Sequence, residues 1–72
     1  MNIEERMMGK TMIYGIPCQI IKWRYVGEKS WVTAYRFTVP GWKEATITGI
    51  RAARRTIEGR LNPAIRNTFG IS

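Results

Sequence analysis

Histidine and aspartate are both absent from this 72-residue sequence. Without His, the chain lacks the usual general base and the commonest zinc ligand. Its five acidic residues are all Glu and are scattered along the chain, which argues against a magnesium site or a paired-carboxylate hydrolase. We therefore expect no enzymatic activity, no bound metal and no cofactor.

Cysteine is scarce as well, since Cys18 is the single one and an internal disulfide is impossible. We expect Cys18 to be a small core or edge residue. No Gly-rich phosphate loop is present, and no apolar run reaches the length of a membrane span. Residues 1–10 lack the apolar run of a secretory signal. A free Cys and no export signal predict a cytoplasmic protein without membrane contact.

Positive charge is what the sequence has in excess. Twelve Lys and Arg stand against five Glu, giving a formal net charge of +7 and a pI of about 10.4. Such an imbalance costs self-repulsion in the folded state, so it favours an anionic partner, nucleic acid first. The alternative is that the charge only keeps the protein soluble. The 44% of hydrophobic residues predict one globular domain over residues 1–72.

One segment, residues 47–61, has a clear helical period. Apolar residues recur there at steps of three and four, and they form one stripe: Ile47, Ile50, Ala53, Ile57 and Leu61. Thr46 or Thr48 could cap the start of this helix. A single amphipathic helix needs an apolar surface on which to pack, and the preceding residues are expected to supply a sheet.

The strand pattern lies within residues 11–46. Tyr14–Pro17 interrupts the first region, so its regular part is predicted at 18–25, followed by a loop at 26–30 and a returning strand at 31–39. Pro40 and Gly41 are the strongest turn signal and fit a type II turn. A short third strand is expected at 42–46.

The two ends of the chain are less regular. Residues 1–10 fit either a short helical turn or a loose arm. Residues 62–72 are a tail or hold a short second helix at 63–69, because Asn62-Pro63 suits a helix start. The predicted fold is thus α+β, a three-stranded antiparallel sheet packed on one face by a C-terminal amphipathic helix.

Alternation along the strands assigns their faces. In the second predicted strand one side carries Trp31, Thr33, Tyr35 and Phe37, and the helix is expected to cover this aromatic side. In the first strand Ile21 and Trp23 are expected to face the helix. The opposite choice would bury Lys22 and Arg24 without evident partners.

The uncovered face of the sheet is then the candidate binding site. It would carry Lys22, Arg24 and Arg36, flanked by Lys29 and Lys43. A ribbon of this width fits a DNA major groove, where Arg reaches guanine and Lys contacts phosphate. The alternative is an ordinary solvated face.

The helix and two aromatic residues offer further candidates. Arg51, Arg54 and Arg55 form a secondary basic surface, and Arg54 could pair with Glu58. Tyr25 and Trp42 are either stacking platforms for single strands or residues that close the ends of the core.

Two stretches carry a resemblance to a known family. Residues 27–36, from Gly27 to Arg36, resemble the second-strand entry of ethylene-response-type DNA-binding domains and of the related amino-terminal domains of tyrosine integrases. Residues 50–54 resemble the Ala-rich start of their packing helix. The resemblance implies a small phage or mobile-element protein that reads duplex DNA with the open face of its sheet. By position it implies contacts from Arg36, Lys22 and Arg24.

Three hypotheses remain open from the sequence. The first is a non-enzymatic nucleic-acid-binding module, with duplex DNA favoured. The second is a small phage-type inhibitor that docks its basic face on an acidic or nucleic-acid-binding site of a host protein complex. The third is a homodimer that pairs through its exposed third strand or its aromatic residues.

Overall fold

The computed structural model describes residues 2–62, which form a four-stranded antiparallel sheet and one helix. The strands lie side by side in chain order: β1 (Ile3–Ile13), β2 (Ile16–Tyr25), β3 (Val32–Phe37) and β4 (Ala45–Thr48). The helix α1 (Ile50–Leu61) follows β4. The α+β class is confirmed, but the expected sheet was one strand short. The short helix expected at 63–69 lies outside the described residues.

The additional strand is β1, which occupies the region expected to be a helical turn or a loose arm. It pairs with β2 from Ile3 to Ile13 across a two-residue turn. Tyr14 and Gly15 form this turn with φ of 50° and 79°, the two left-handed conformations that a tight hairpin of type I′ requires. The expected interruption of the strand region is therefore this hairpin turn. Strand propensity depends on the partner, so the local sequence alone gave little sign of β1.

A β-bulge divides β1 into two parts. Met7 pairs with Ile21 and Gly9 pairs with Ile20, so Met8 is an extra residue without a partner in β2. One extra residue reverses the alternation of side chains between the two faces. The residues before the bulge therefore follow the opposite alternation to those after it.

The predicted turn at Pro40-Gly41 is confirmed. The amide of Trp42 donates a hydrogen bond of 2.9 Å to the carbonyl of Val39, and Gly41 has φ of 89°. A positive φ at the third residue is what a type II turn demands. The strand after the turn is Ala45–Thr48, which begins and ends later than the expected 42–46.

The start of α1 differs from the prediction and its end does not. Ile47 belongs to β4, and Gly49 is the N-terminal cap residue, with no side-chain cap. The expected capping by Thr46 or Thr48 was therefore wrong. Gly49 instead donates its amide to the carbonyl of Thr33 at 3.1 Å, which ties the start of α1 to β3. The helix ends at Leu61, as predicted.

The core lies between α1 and one end of the sheet. Ala53 and Ile57 are fully buried there, whereas Ile50 and Leu61 at the helix ends remain more than a third exposed. The core cluster comprises Ile13, Ile16, Cys18, Phe37, Val39, Ala53 and Ile57. Within residues 2–62, no helix is both long enough and apolar enough to cross a bilayer.

Candidate nucleic-acid interface

The pairing of β2 with β3 decides which residues face the helix. Cys18 pairs with Phe37, and both belong to the core against α1. Paired residues and alternate residues of a strand share a face. Lys22 and Arg24 therefore lie on the helix side of the sheet, and Ile21 lies on the open face. The expectation that Lys22 and Arg24 share the open face with Arg36 was wrong.

The length of the helix explains this error. A helix of 12 residues is about 18 Å long, whereas a strand of 10 residues spans about 34 Å. The helix therefore covers only the half of this face that lies nearest the β1–β2 turn. Lys22 lies beyond it and is exposed, and the side chain of Arg24 is 28% exposed. The two cations face the helix side without being buried under it.

A basic and aromatic cluster occupies the uncovered half. The guanidinium carbons of Arg24 and Arg6 lie 4.4 Å and 4.8 Å from the centre of the Trp31 ring. Lys22 pairs with Arg6 across the strands and adjoins both arginines. We call Arg6, Lys22, Arg24 and Trp31 the Trp31 cluster.

The bulge in β1 brings Arg6 to the Trp31 cluster. Gly9 pairs with Ile20 and Ile13 with Ile16, both on the helix side. Continued alternation would place Arg6 on the open face, and the extra Met8 reverses this. Sequence reasoning missed Arg6 as a site residue, because a bulge in an unrecognised strand leaves no local signal.

The cations of the Trp31 cluster differ in their partners. Arg24 donates from Nε to the carboxylate of Glu4 at 2.6 Å and from Nη1 to the carbonyl of Glu28 at 3.0 Å. Among residues 2–62, Arg6 and Lys22 have no ion-pair partner. Two of the three cations are therefore available to an external anion, and the third is held in place.

Arg36, the central residue of the expected site, lies on the open face as predicted but is already engaged. It donates from Nη2 to the carboxylate of Glu5 and from Nε to the hydroxyl of Thr46, each at 3.0 Å. A shallow groove of about 250 Å³ runs beside it, lined by Ile3, Glu5, Trp23, Arg36, Thr46 and Thr48. Only two of these six lining residues are charged, Glu5 and Arg36, and their charges are opposite. The groove is therefore not the basic surface that was expected on the open face.

The remaining predicted residues are spread over the molecule. Lys29 is exposed in the β2–β3 loop, two residues before Trp31, and Lys43 is exposed in the β3–β4 loop. The secondary basic surface, Arg51, Arg54 and Arg55, is exposed on α1. Within the described chain Arg54 does not pair with Glu58.

Tyr25, Trp42 and Cys18 each contact other residues of the fold. Tyr25 makes an edge contact with Trp23, with ring centres 5.4 Å apart. Arg60 lies over the Trp42 ring at 4.7 Å. Cys18 is buried and its thiol donates to the carbonyl of Ile16 at 3.4 Å. Burial raises the pKa of this thiol, so Cys18 stays a protonated core residue, as expected.

Comparisons with known proteins do not extend this description. No protein-family model, no curated protein and no solved structure matched the chain. The resemblance to ethylene-response-type and integrase amino-terminal domains therefore stays a prediction.

Proposed function

We propose that the chain is a non-enzymatic nucleic-acid-binding module that contacts duplex DNA through the Trp31 cluster and the neighbouring Lys29. The excess of positive charge supports an anionic partner. The proposed site lies on the uncovered half of the helix side, whereas the sequence predicted it on the open face of the sheet.

The single observation that carries the proposal is that two cations of the Trp31 cluster, Arg6 and Lys22, have no ion-pair partner within residues 2–62. Arg6 and Lys22 lie opposite each other on β1 and β2, and Arg24 adjoins them. Keeping like charges this close is unfavourable unless an anion compensates them. A phosphate group is the natural anion, because both Arg and Lys donate charge-assisted hydrogen bonds to it.

Trp31 supports contact with duplex DNA over single strands. Base stacking on a tryptophan requires an open ring face. The guanidinium groups of Arg6 and Arg24 already lie over the Trp31 ring. Trp31 therefore acts as a support that holds the arginines ready for phosphate, which lowers the entropy cost of ordering them on binding.

A titration across a salt series tests this proposal. If Arg6, Lys22 and Lys29 each neutralise a phosphate of duplex DNA while Arg24 stays paired with Glu4, the logarithm of the binding constant should fall against the logarithm of salt concentration with a slope of about −3. Single-stranded DNA and RNA of equal length should bind more weakly. Salt-independent binding, or no binding to any of the three, would exclude the proposal.

The second candidate function is a small inhibitor or interaction protein, favoured by the apolar character of the open face. Ile3, Met7 and Tyr25 are exposed on that face, and no helix of residues 2–62 covers it. An apolar surface of this kind marks a protein contact more often than a nucleic-acid contact.

A binding experiment separates the two functions. A protein partner should be captured in a fixed ratio after nuclease treatment, and the double change Ile3→Ser and Met7→Ser on the open face should abolish capture. For the DNA function the same double change should leave the affinity of a single chain for a short duplex unaltered. Capture that survives the change would contradict a role for the open face.

A further inference from the structure

The outer side of β1 has no partner strand within residues 2–62. This edge strand has 11 residues, and Ile3, Met7, Met8 and Met12 are each more than half exposed. Such an edge offers a row of unpaired backbone groups as a template for another strand. We propose that a second copy of the chain pairs its β1 with this edge in antiparallel orientation and forms a closed two-fold dimer.

The bulge places five residues of β1, from both sides of it, on the same face of the sheet. Ile3, Glu5 and Met7 precede the bulge, and Lys10 and Met12 follow it. Their partners in β2 are the odd-numbered residues from 25 down to 17, which share one face because side chains alternate. All five residues therefore lie on the open face of the sheet.

The backbone of the same five residues points away from β2. The amide of Val26 donates to the carbonyl of Asn2 at 3.0 Å, so Asn2 directs its backbone groups toward β2. Backbone direction alternates along a strand together with side-chain face. Ile3, Glu5 and Met7 therefore direct their N–H and C=O groups outward. After the bulge the alternation is set by the turn: a two-residue hairpin is closed by a hydrogen-bonded pair, here Ile13 and Ile16, so Lys10 and Met12 also direct their backbone groups outward.

In one register of two antiparallel β1 strands, these residues face complementary partners. A two-fold axis between Met7 and Met8 sets Ile3 against Met12 of the partner subunit and Glu5 against Lys10 of the partner subunit. Apolar side chains then meet apolar ones, and opposite charges meet twice. A shift by two residues would set Ile3 against a lysine or Glu5 against a methionine.

The charge of the edge also suits a second copy. Two molecules of net charge +7 repel each other, but in β1 two Glu balance one Arg and one Lys. Glu5 binds Arg36 through Oε1 alone, so its Oε2 can accept from Lys10 of the partner subunit. The self-complementary edge is thus electrically neutral within a basic protein.

The dimer would bring two Trp31 clusters onto one surface. In this register Arg6 lies opposite Gly9 of the partner subunit, on the helix side, so the two clusters flank the axis. The dimer proposal does not depend on the proposed function, although a doubled basic surface would suit a duplex with two-fold symmetry.

Sedimentation equilibrium of the full chain tests the proposal. From about 1 μM to about 1 mM protein, the mass should rise from that of the 8.3 kDa monomer toward twice this value. Lys10→Glu sets carboxylates against each other at two places and should raise the dimer Kd at least about tenfold. Lys43→Glu makes the same charge change away from β1 and should leave the Kd near that of the parent.

A mixing experiment identifies the register. Glu5→Lys and Lys10→Glu should each dimerise poorly alone, whereas an equimolar mixture should associate about as tightly as the parent, because every facing pair is again of opposite charge. Glu5→Lys also loses its bond to Arg36. If this variant does not fold, the comparison of Lys10→Glu with Lys43→Glu decides whether β1 forms the dimer interface. A monomer mass at every concentration, unaltered association of Lys10→Glu, or growth beyond a dimer would overturn the proposal.

Discussion

The helix side of the sheet has two halves that follow the same strand alternation and have opposite environments. In the covered half, Cys18 and Phe37 pack against Ala53 and Ile57 and are shielded from water. In the uncovered half, Lys22 and Arg24 continue the same face of β2 beyond the reach of α1. Strand parity decides the face, but the length of the helix decides whether that face is core or surface.

The largest effect is expected in the covered half. Ile57→Ala removes a fully buried side chain and leaves a cavity, so the free energy of unfolding should fall by about 2–4 kcal/mol. Lys22→Ala in the uncovered half should change it by less than about 0.5 kcal/mol. Urea unfolding followed by tryptophan fluorescence measures both. Equal losses of unfolding free energy for the two variants would contradict the difference in burial between the two halves.

A smaller loss is expected for Trp31→Ala. The change removes the ring that lies under both Arg6 and Arg24. Cation–π contacts at partly exposed sites contribute roughly 0.5–1 kcal/mol each, so the loss should be about 1–2 kcal/mol. Trp31→Phe serves as the control, because it keeps an aromatic face and should recover part of the loss in the same urea titration. A Trp31→Ala variant as stable as the parent would show that the cluster is not held by its ring.

The smallest effect concerns the open face. Arg36→Gln removes the bond to Glu5, an exposed ion pair that contributes about 0.2–1 kcal/mol. If the uncovered half of the helix side binds DNA, this variant should lower the affinity for duplex DNA by less than about threefold. A loss of tenfold or more in a fluorescence anisotropy titration would return the site to the open face.

Several elements could be predicted from the sequence because their signals are local. Pro40-Gly41 dictates its own turn, and the period of α1 identifies Ala53 and Ile57 as core residues. The side of β3 that carries Tyr35 and Phe37 was also assigned correctly.

The errors come from interactions that are distant in sequence. β1 carries Glu4 and Glu5 near its start, residues typical of a first helical turn, and only its pairing with β2 makes it a strand. The bulge at Met8 then hides its alternation. For Lys22 the sequence rule that cations face away from the helix failed, because it assumes a helix as long as the strands. The candidate site is therefore the part of the molecule that the sequence predicted least well.

The most direct test of the central claim compares two double variants with equal loss of charge. Arg6→Gln with Lys22→Gln removes the two cations of the Trp31 cluster that have no ion-pair partner within residues 2–62, and Arg54→Gln with Arg55→Gln removes two exposed cations of α1. The first pair should weaken binding to duplex DNA by about tenfold or more and reduce the salt slope by about 2, whereas the second should change both only slightly. Equal weakening by the two pairs, or a larger loss for the α1 pair, would contradict the assignment of the site to the uncovered half of the sheet.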